Sequence, residues 1–194
     1  MQLNPEHLDK RIIYYKEIIS NPNEVIEYFE SIDQTSWDDW ISSDNTNIRH
    51  GFSKRVSYLD LDGKNENLSL ISSSIKNAIT SATEYYRSKI ETKAVDVPNF
   101  FDIKKYTDGA DMGTHTDSED DSDKKHPVLS AVLYLNNNYG DGEIEFIKQG
   151  IKIKPEPGSL ILFPSVPPYY HRPIPVTYGT KYMVPFFLYE KGAF

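Results

Sequence analysis

Near Pro98 the texture of the chain changes, and that change sets the fold class. Beyond it, short apolar runs at 100–106, 128–136, 143–147, 151–154, 159–163 and 181–189 follow one another. Turn-forming residues separate them: Asp108-Gly109, Asn136-Asn137-Asn138, Gly140-Asp141-Gly142, and the stretches 155–158 and 164–168. Eight of the ten glycines lie after residue 100, where a turn-rich β region needs backbone freedom. Many short strands punctuated by Gly, Pro and Asn predict an antiparallel sandwich or barrel.

The first half reads differently. Arg11-Ile12-Ile13-Tyr14-Tyr15 is β-branched and aromatic, as a strand would be. Asn21-Pro22 offers an N-cap and a first helical position, followed by an apolar face of Val25, Ile26, Tyr28, Phe29 and Ile32. Apolar residues spaced by three and four, from Leu68 through Ile75, Ile79 and Tyr86 to Ile90, predict a long amphipathic helix over about 68–90. Trp37 and Trp40, between the two helices, read as core anchors. The expected architecture is α+β: a jelly roll buttressed by N-terminal helices. Nothing repeats and no linker divides the chain, so 1–194 is expected to be one domain, with 1–97 a helical and mixed support and 98–194 the jelly-roll core.

Composition narrows the function. With no cysteine, disulfides, thiolate metal sites and cysteine nucleophiles are excluded. Twenty-nine acids against 21 bases give a net charge of −8, which disfavours a general nucleic-acid binder. No apolar run is long enough to cross a membrane, and the first residues lack the basic start and apolar stretch of a signal peptide, so a cytoplasmic location is expected.

Among the five histidines, His115 stands out for its company. In His115-Thr116-Asp117 two metal-capable side chains sit at i and i+2, which on a strand share one face. One more distant histidine completes a two-histidine, one-carboxylate triad, the donor set of non-haem Fe(II) oxygenases. His171 follows 54 residues after Asp117, and Lys181 ten residues later. His7 and His50 carry no such context, and His126 lies outside the motif.

The ordered pieces around these residues resemble the 2-oxoglutarate- and Fe(II)-dependent dioxygenases, in the prolyl 4-hydroxylase-like branch. Ile103-Lys104-Lys105-Tyr106 followed by Gly113 to Asp117 is similar to the strand that leads into the first two ligands. Val132 to Asn136 is similar to the central strand, and Gly142 to Phe146, Lys154-Pro155 and Gly158 to Pro164 to the middle section. His171-Arg172-Pro173 and Pro175 to Tyr182 resemble the closing motif, with Arg55-Val56-Ser57 a fainter upstream match. The resemblance implies a double-stranded β-helix with Fe(II), 2-oxoglutarate and O₂ as cofactors and ascorbate as a supporting reductant. It implies His115, Asp117 and His171 as metal ligands, with no further catalytic side chain. A buried carboxylate needs a cation and donors. Lys181 fits the first role and Tyr106 and Tyr134 the second, at positions where the family binds its cosubstrate. An aspartate at 117, where halogenases leave the position to a halide, implies hydroxylation.

Two departures bear on the substrate. Pro127 stands where the family commonly has arginine, and Phe187 where it commonly has tryptophan; Phe187 still offers an aromatic face to a proline ring. The expected substrate is a prolyl residue in a peptide or protein, and the acidic surface favours a neutral or basic one. The alternatives are a dioxygenase acting on a free amino acid or other small molecule, and a non-enzymatic cupin-like jelly-roll binding module. The charged segment 118–125 should lie at the mouth of the barrel, as a solvated loop or as a substrate-capturing one.

Overall fold

The computed structural model describes residues 3–31, 37–41, 49–57, 66–107, 110, 112–120 and 122–193. Five strands precede the texture change: β1 (Asn4–His7), β2 (Ile13–Lys16), β3 (Asp38–Ile41), β4 (Arg49–Ser57) and β5 (Val95–Asp96). Helices α1 (Pro22–Ser31) and α2 (Glu66–Lys89) lie among them. The second half supplies β6 (Phe100–Tyr106), β7 (Pro127–Tyr134), β8 (Ile144–Phe146), β9 (Ile151–Ile153), β10 (Leu160–Pro164), β11 (His171–Pro173) and β12 (Lys181–Glu190).

These strands form two antiparallel sheets. The larger runs β1-β2-β10-β7-β12-β6-β4-β3, with β5 on the end of β12, and the smaller runs β11-β8-β9. Period-two alternation on β7 gives each face of the larger sheet its own partner. Leu129, Ala131 and Leu133 face one core, built with Val25 and Phe29 of α1 and with Ile75, Ala78, Ile79, Ala82 and Tyr86 of α2. Tyr134 faces a second core between the sheets, with Tyr106, Ile161, Phe163 and Met183 packed against Ile144 and Phe146. The fold is a jelly roll with two helices.

The helices form where the periodicity placed them. Pro22 opens α1 and the Glu24 amide donates to the Asn21 carbonyl, while Glu66 at the start of α2 and Arg87 and Lys89 at its end complement the helix dipole. Buried hydroxyls fix α2 to the strand side: Tyr15 donates to the Ala82 carbonyl at 2.9 Å, and Tyr86 to that of Arg11 at 2.9 Å. Trp37 packs against the helix-side core with the Lys105 ammonium 4.3 Å from its ring centre. Ile32 and the Trp40 side chain lie outside the described residues.

The first half, read as a helical and mixed support, supplies strands as well as the two helices. It contributes strands on both sides of the larger sheet, β2 against β10 and β4 against β6. Strands β1, β3 and β4 are polar because they sit at or beside the sheet edges, so the apolar alternation that marks a strand is weak in them. No helix among the described residues is long and apolar enough to cross a membrane.

Candidate metal centre and cosubstrate pocket

His115 and His171 meet as directly opposed partners of an antiparallel bridge. The His115 amide donates to the His171 carbonyl at 3.0 Å, and the reverse bond is 2.9 Å. The pair therefore reaches its place through the backbone, although 56 residues separate it in the chain. Each imidazole uses Nδ1 on the carbonyl two residues earlier, His115 on Gly113 at 2.8 Å and His171 on Tyr169 at 3.1 Å. Donation from Nδ1–H leaves the Nε2 lone pair free on both rings. The rings of Phe146 and Phe163 pack against His171, at 5.7 and 4.8 Å between centres.

Asp117 completes the group. Its Oδ1 lies 3.5 Å from His115 Nε2 and its Oδ2 3.7 Å from His171 Nε2. One ligand atom from each residue falls within 4.8 Å of the others, a spacing that a single metal ion can bridge. Burial pushes the Asp117 carboxyl up, but hydrogen bonds from His115 and Ser130 and the charge of His171 outweigh it and hold the group below the usual range. Burial pulls the His171 imidazole down; at His115 burial acts in the same direction, but Asp117 and the Gly113 carbonyl reverse it. Ser130, whose hydroxyl is 2.8 Å from that of Ser165, backs the carboxylate from β7. The donor set, two neutral imidazoles and one carboxylate, suits Fe(II).

The triad opens into a cavity of about 300 Å³ that Lys181, Tyr106 and Tyr134 also line. Lys181 is only 2% exposed and stands opposite Tyr106 across the β12–β6 ladder. Its ammonium donates to the Gly142 carbonyl at 2.6 Å and lies over the rings of Tyr134 and Tyr139, at 5.1 and 5.9 Å. Burial, reinforced by the charge of Lys154, lowers it to about 7, with Glu143 acting in the opposite direction. The same burial raises both tyrosines that line the pocket, which therefore remain protonated donors. A buried cation flanked by two phenols suits the far carboxylate of a keto acid whose other end reaches the metal.

Residues 101–189 match the sequence model of the 2OG-Fe(II) oxygenase superfamily. Residues 101–189 belong to that superfamily. Its cofactors are Fe(II), 2-oxoglutarate and O₂. Solved structures share the fold of the oxygenase. A collagen prolyl hydroxylase of Paramecium bursaria Chlorella virus-1 is 17% identical with a TM-score of 0.61, over 93% of this chain and 96% of that one. A Pseudomonas putida prolyl-4-hydroxylase is 16% identical with a TM-score of 0.66, over 93% of each chain. A Trichoplax adhaerens prolyl hydroxylase, in complex with a hypoxia-inducible-factor peptide, is 14% identical with a TM-score of 0.69, over 95% of this chain and 86% of that one. No curated protein sequence matches.

The oxygenase pocket brings together all six residues expected at its metal and cosubstrate ends. Phe187 lies at the outer margin of the same cavity, 38% exposed. His126 sits away from the triad with Nδ1 3.5 Å from Asp120, and His7 lies 3.4 Å from the Tyr85 hydroxyl; the His50 side chain is outside the described residues. Segment 118–125 is folded on itself where it is described: Asp120 caps Ser122, Asp123 caps Lys125, and the Ser118 amide donates to the Ser165 carbonyl. Sequence reasoning passed over Lys104, Ser130 and Tyr139. Lys104 carried a readable signal: two residues before Tyr106 on one strand, it must share that tyrosine's face.

Proposed function

We propose that the chain is a single 1–194 domain that hydroxylates a prolyl residue in a peptide or protein. In this reading His115, Asp117 and His171 hold Fe(II), Lys181 with Tyr106 and Tyr134 anchors 2-oxoglutarate, and Phe187 meets the substrate. The observation that carries it is the placing of a two-histidine, one-aspartate set and a lysine 2% exposed in one cavity. A metal-holding binding module has no use for that lysine, because burying an ammonium costs stability without serving the metal. The proline assignment draws on the shared fold of the prolyl hydroxylases and on the aromatic margin at Phe187.

When bound, Fe(II) and 2-oxoglutarate supply the activation of O₂ that inserts oxygen into a C–H bond, the keto acid leaving as succinate and CO₂. The chain supplies placement. The Nδ1 contacts aim both imidazoles at one point, and Asp117 adds the one anionic protein ligand. Lys181 pairs with the far carboxylate of the cosubstrate, so only its keto-acid end is left toward the triad. Ile144, Pro173 and Met183 line the space between and keep water from it.

The test is incubation of iron-loaded protein with 2-oxoglutarate and a panel of proline-containing peptides, read by mass. The expected result is one added oxygen on a peptide, with succinate formed faster than without peptide. If no peptide raises succinate output while a free amino acid does, the prolyl-peptide assignment fails and the cofactor assignment stands.

A further inference from the structure

The pocket contains a second buried cation. Lys104 is 6% exposed and lines the same cavity as the triad and Lys181. The ladders place it opposite Met183 on β12 and Ser53 on β4. Alternation then sets two parallel rows on the cavity floor: Tyr106, Lys104, Asp102 and Phe100 along β6, and Lys181, Met183, Pro185 and Phe187 along β12. At the outer end a wider cavity of about 750 Å³, lined by Phe100, Asp102, Arg55 and Tyr189, shares Pro185, Phe186 and Phe187 with the inner one. Along this floor Lys104 stands between the cosubstrate lysine and the open groove, where a substrate entering from outside must pass.

Burying an ammonium is costly and packing alone does not ask for one. Burial lowers Lys104 to about 8, with the carboxylates of Asp102 and Asp117 pulling it up and Arg55 pushing it down. Asp102 gives both its oxygens to Arg55, at 2.9 and 3.1 Å, and Asp117 faces the histidines. An ammonium has three donors, so it can take a substrate oxygen beside a contact it already makes. A carboxylate is the substrate group that best suits a cation in that place.

We propose that Lys104 binds substrate by anchoring a carboxylate held next to the prolyl ring. The inference rests on the dioxygenase reading of this site. The carboxylate has two possible sources: the terminus of a free or C-terminal proline, or the side chain of an acidic residue beside a peptidyl proline. Either source runs against the neutral or basic substrate that the net charge of −8 favours. Surface charge acts through screening solvent, whereas at contact in a water-poor pocket the local ammonium dominates.

The test uses protein loaded with Mn(II) and 2-oxoglutarate under argon, titrated calorimetrically with two matched pairs of probes. One pair is L-proline and L-prolinamide. The other is the blocked peptide acetyl-Gly-Glu-Pro-Gly-amide and its Gln counterpart. The wild type is expected to bind the carboxylate member of one pair about tenfold more tightly, and Lys104→Met to narrow that gap below about threefold. The proline pair reports the terminal source and the peptide pair the side-chain source. Absence of preference in both pairs overturns the proposal on wild-type protein alone, even if the variant fails to fold. A preference that survives in Lys104→Met or Lys104→Gln overturns it too. Wild type that takes up neither Mn(II) nor 2-oxoglutarate overturns the dioxygenase reading, and the anchor with it.

Discussion

A lysine held at 2% exposure costs folding free energy unless something negative meets it, and Lys181 meets a backbone carbonyl and two aromatic rings. Its folded value of about 7 lies below the ordinary lysine value of 10.5, so between them the unfolded chain binds more protons. Stability of the ligand-free protein therefore rises with pH through that window, and Lys104, lowered to about 8, adds in the same direction. Lys181→Met is expected to make the ligand-free protein about 1–4 kcal/mol more stable at about pH 6 by urea denaturation, a gap that closes toward high pH. The same variant should weaken 2-oxoglutarate binding by about 2–4 kcal/mol. A variant less stable than wild type at that pH would make Lys181 a structural residue. Because only the protonated ammonium attracts the carboxylate, the wild-type affinity for 2-oxoglutarate should fall about tenfold from about pH 6 to about pH 8, measured calorimetrically. A flat profile would remove Lys181 from the cosubstrate site.

At the scale of elements, short connections do much of the positioning. The turn before β10 joins three parts of the chain: the Gly158 amide donates to the Tyr134 carbonyl at 2.8 Å, and the Gly158 carbonyl accepts from Ile18 at 2.8 Å. Gly158 has a φ of +76°, and a Cβ there would lie 2.5 Å from the Ile19 carbonyl oxygen. Gly158→Ala is expected to lower stability by about 1–3 kcal/mol in urea and to weaken 2-oxoglutarate binding through Tyr134. Loss of stability with unchanged binding would separate the turn from the pocket. The same scale shows why the sequence was only partly legible. His115-Thr116-Asp117, His171 and Lys181 were readable because metal and carboxylate binding demand particular side chains at fixed spacings. Strands β6, β10 and β12 were readable because they are apolar and bounded by turns. Strand β11, His171–Pro173, carries no apolar run of its own, unlike the equally short β8 and β9, so only its pairing with β8 marks it. Strand β4, RHGFSKRVS, is too polar to announce itself, and its pairing with β6 and β3 makes it a strand. Lys104 stands in the sequence beside a second lysine, and only the strand's alternation separates them, sending Lys104 inward to the pocket and Lys105 to Glu30, 3.0 Å away on α1.

Over the whole molecule the larger sheet has two tasks. One face packs on the helices in a core free of chemistry, and the other, with the smaller sheet, encloses the pocket. The candidate metal triad bridges the sheets, since His171 belongs to the smaller one and Asp117 is backed by Ser130 of the larger. Binding at such a seam should stabilise the entire fold. Mn(II) with 2-oxoglutarate, each at about 100 times its dissociation constant, should add roughly 2.7 kcal/mol per independent ligand and raise Tm accordingly. Asp117→Ala should abolish the metal-dependent part of that shift, and an unchanged shift in the variant would place the metal elsewhere. The most direct test of a dioxygenase built on this triad and lysine is turnover under oxygen-18 gas with a proline-containing peptide, followed by mass measurement of both products. The account predicts one heavy oxygen in the peptide and one in the succinate, with neither formed by Asp117→Ala. A hydroxylated peptide and succinate that both lack the label would contradict it.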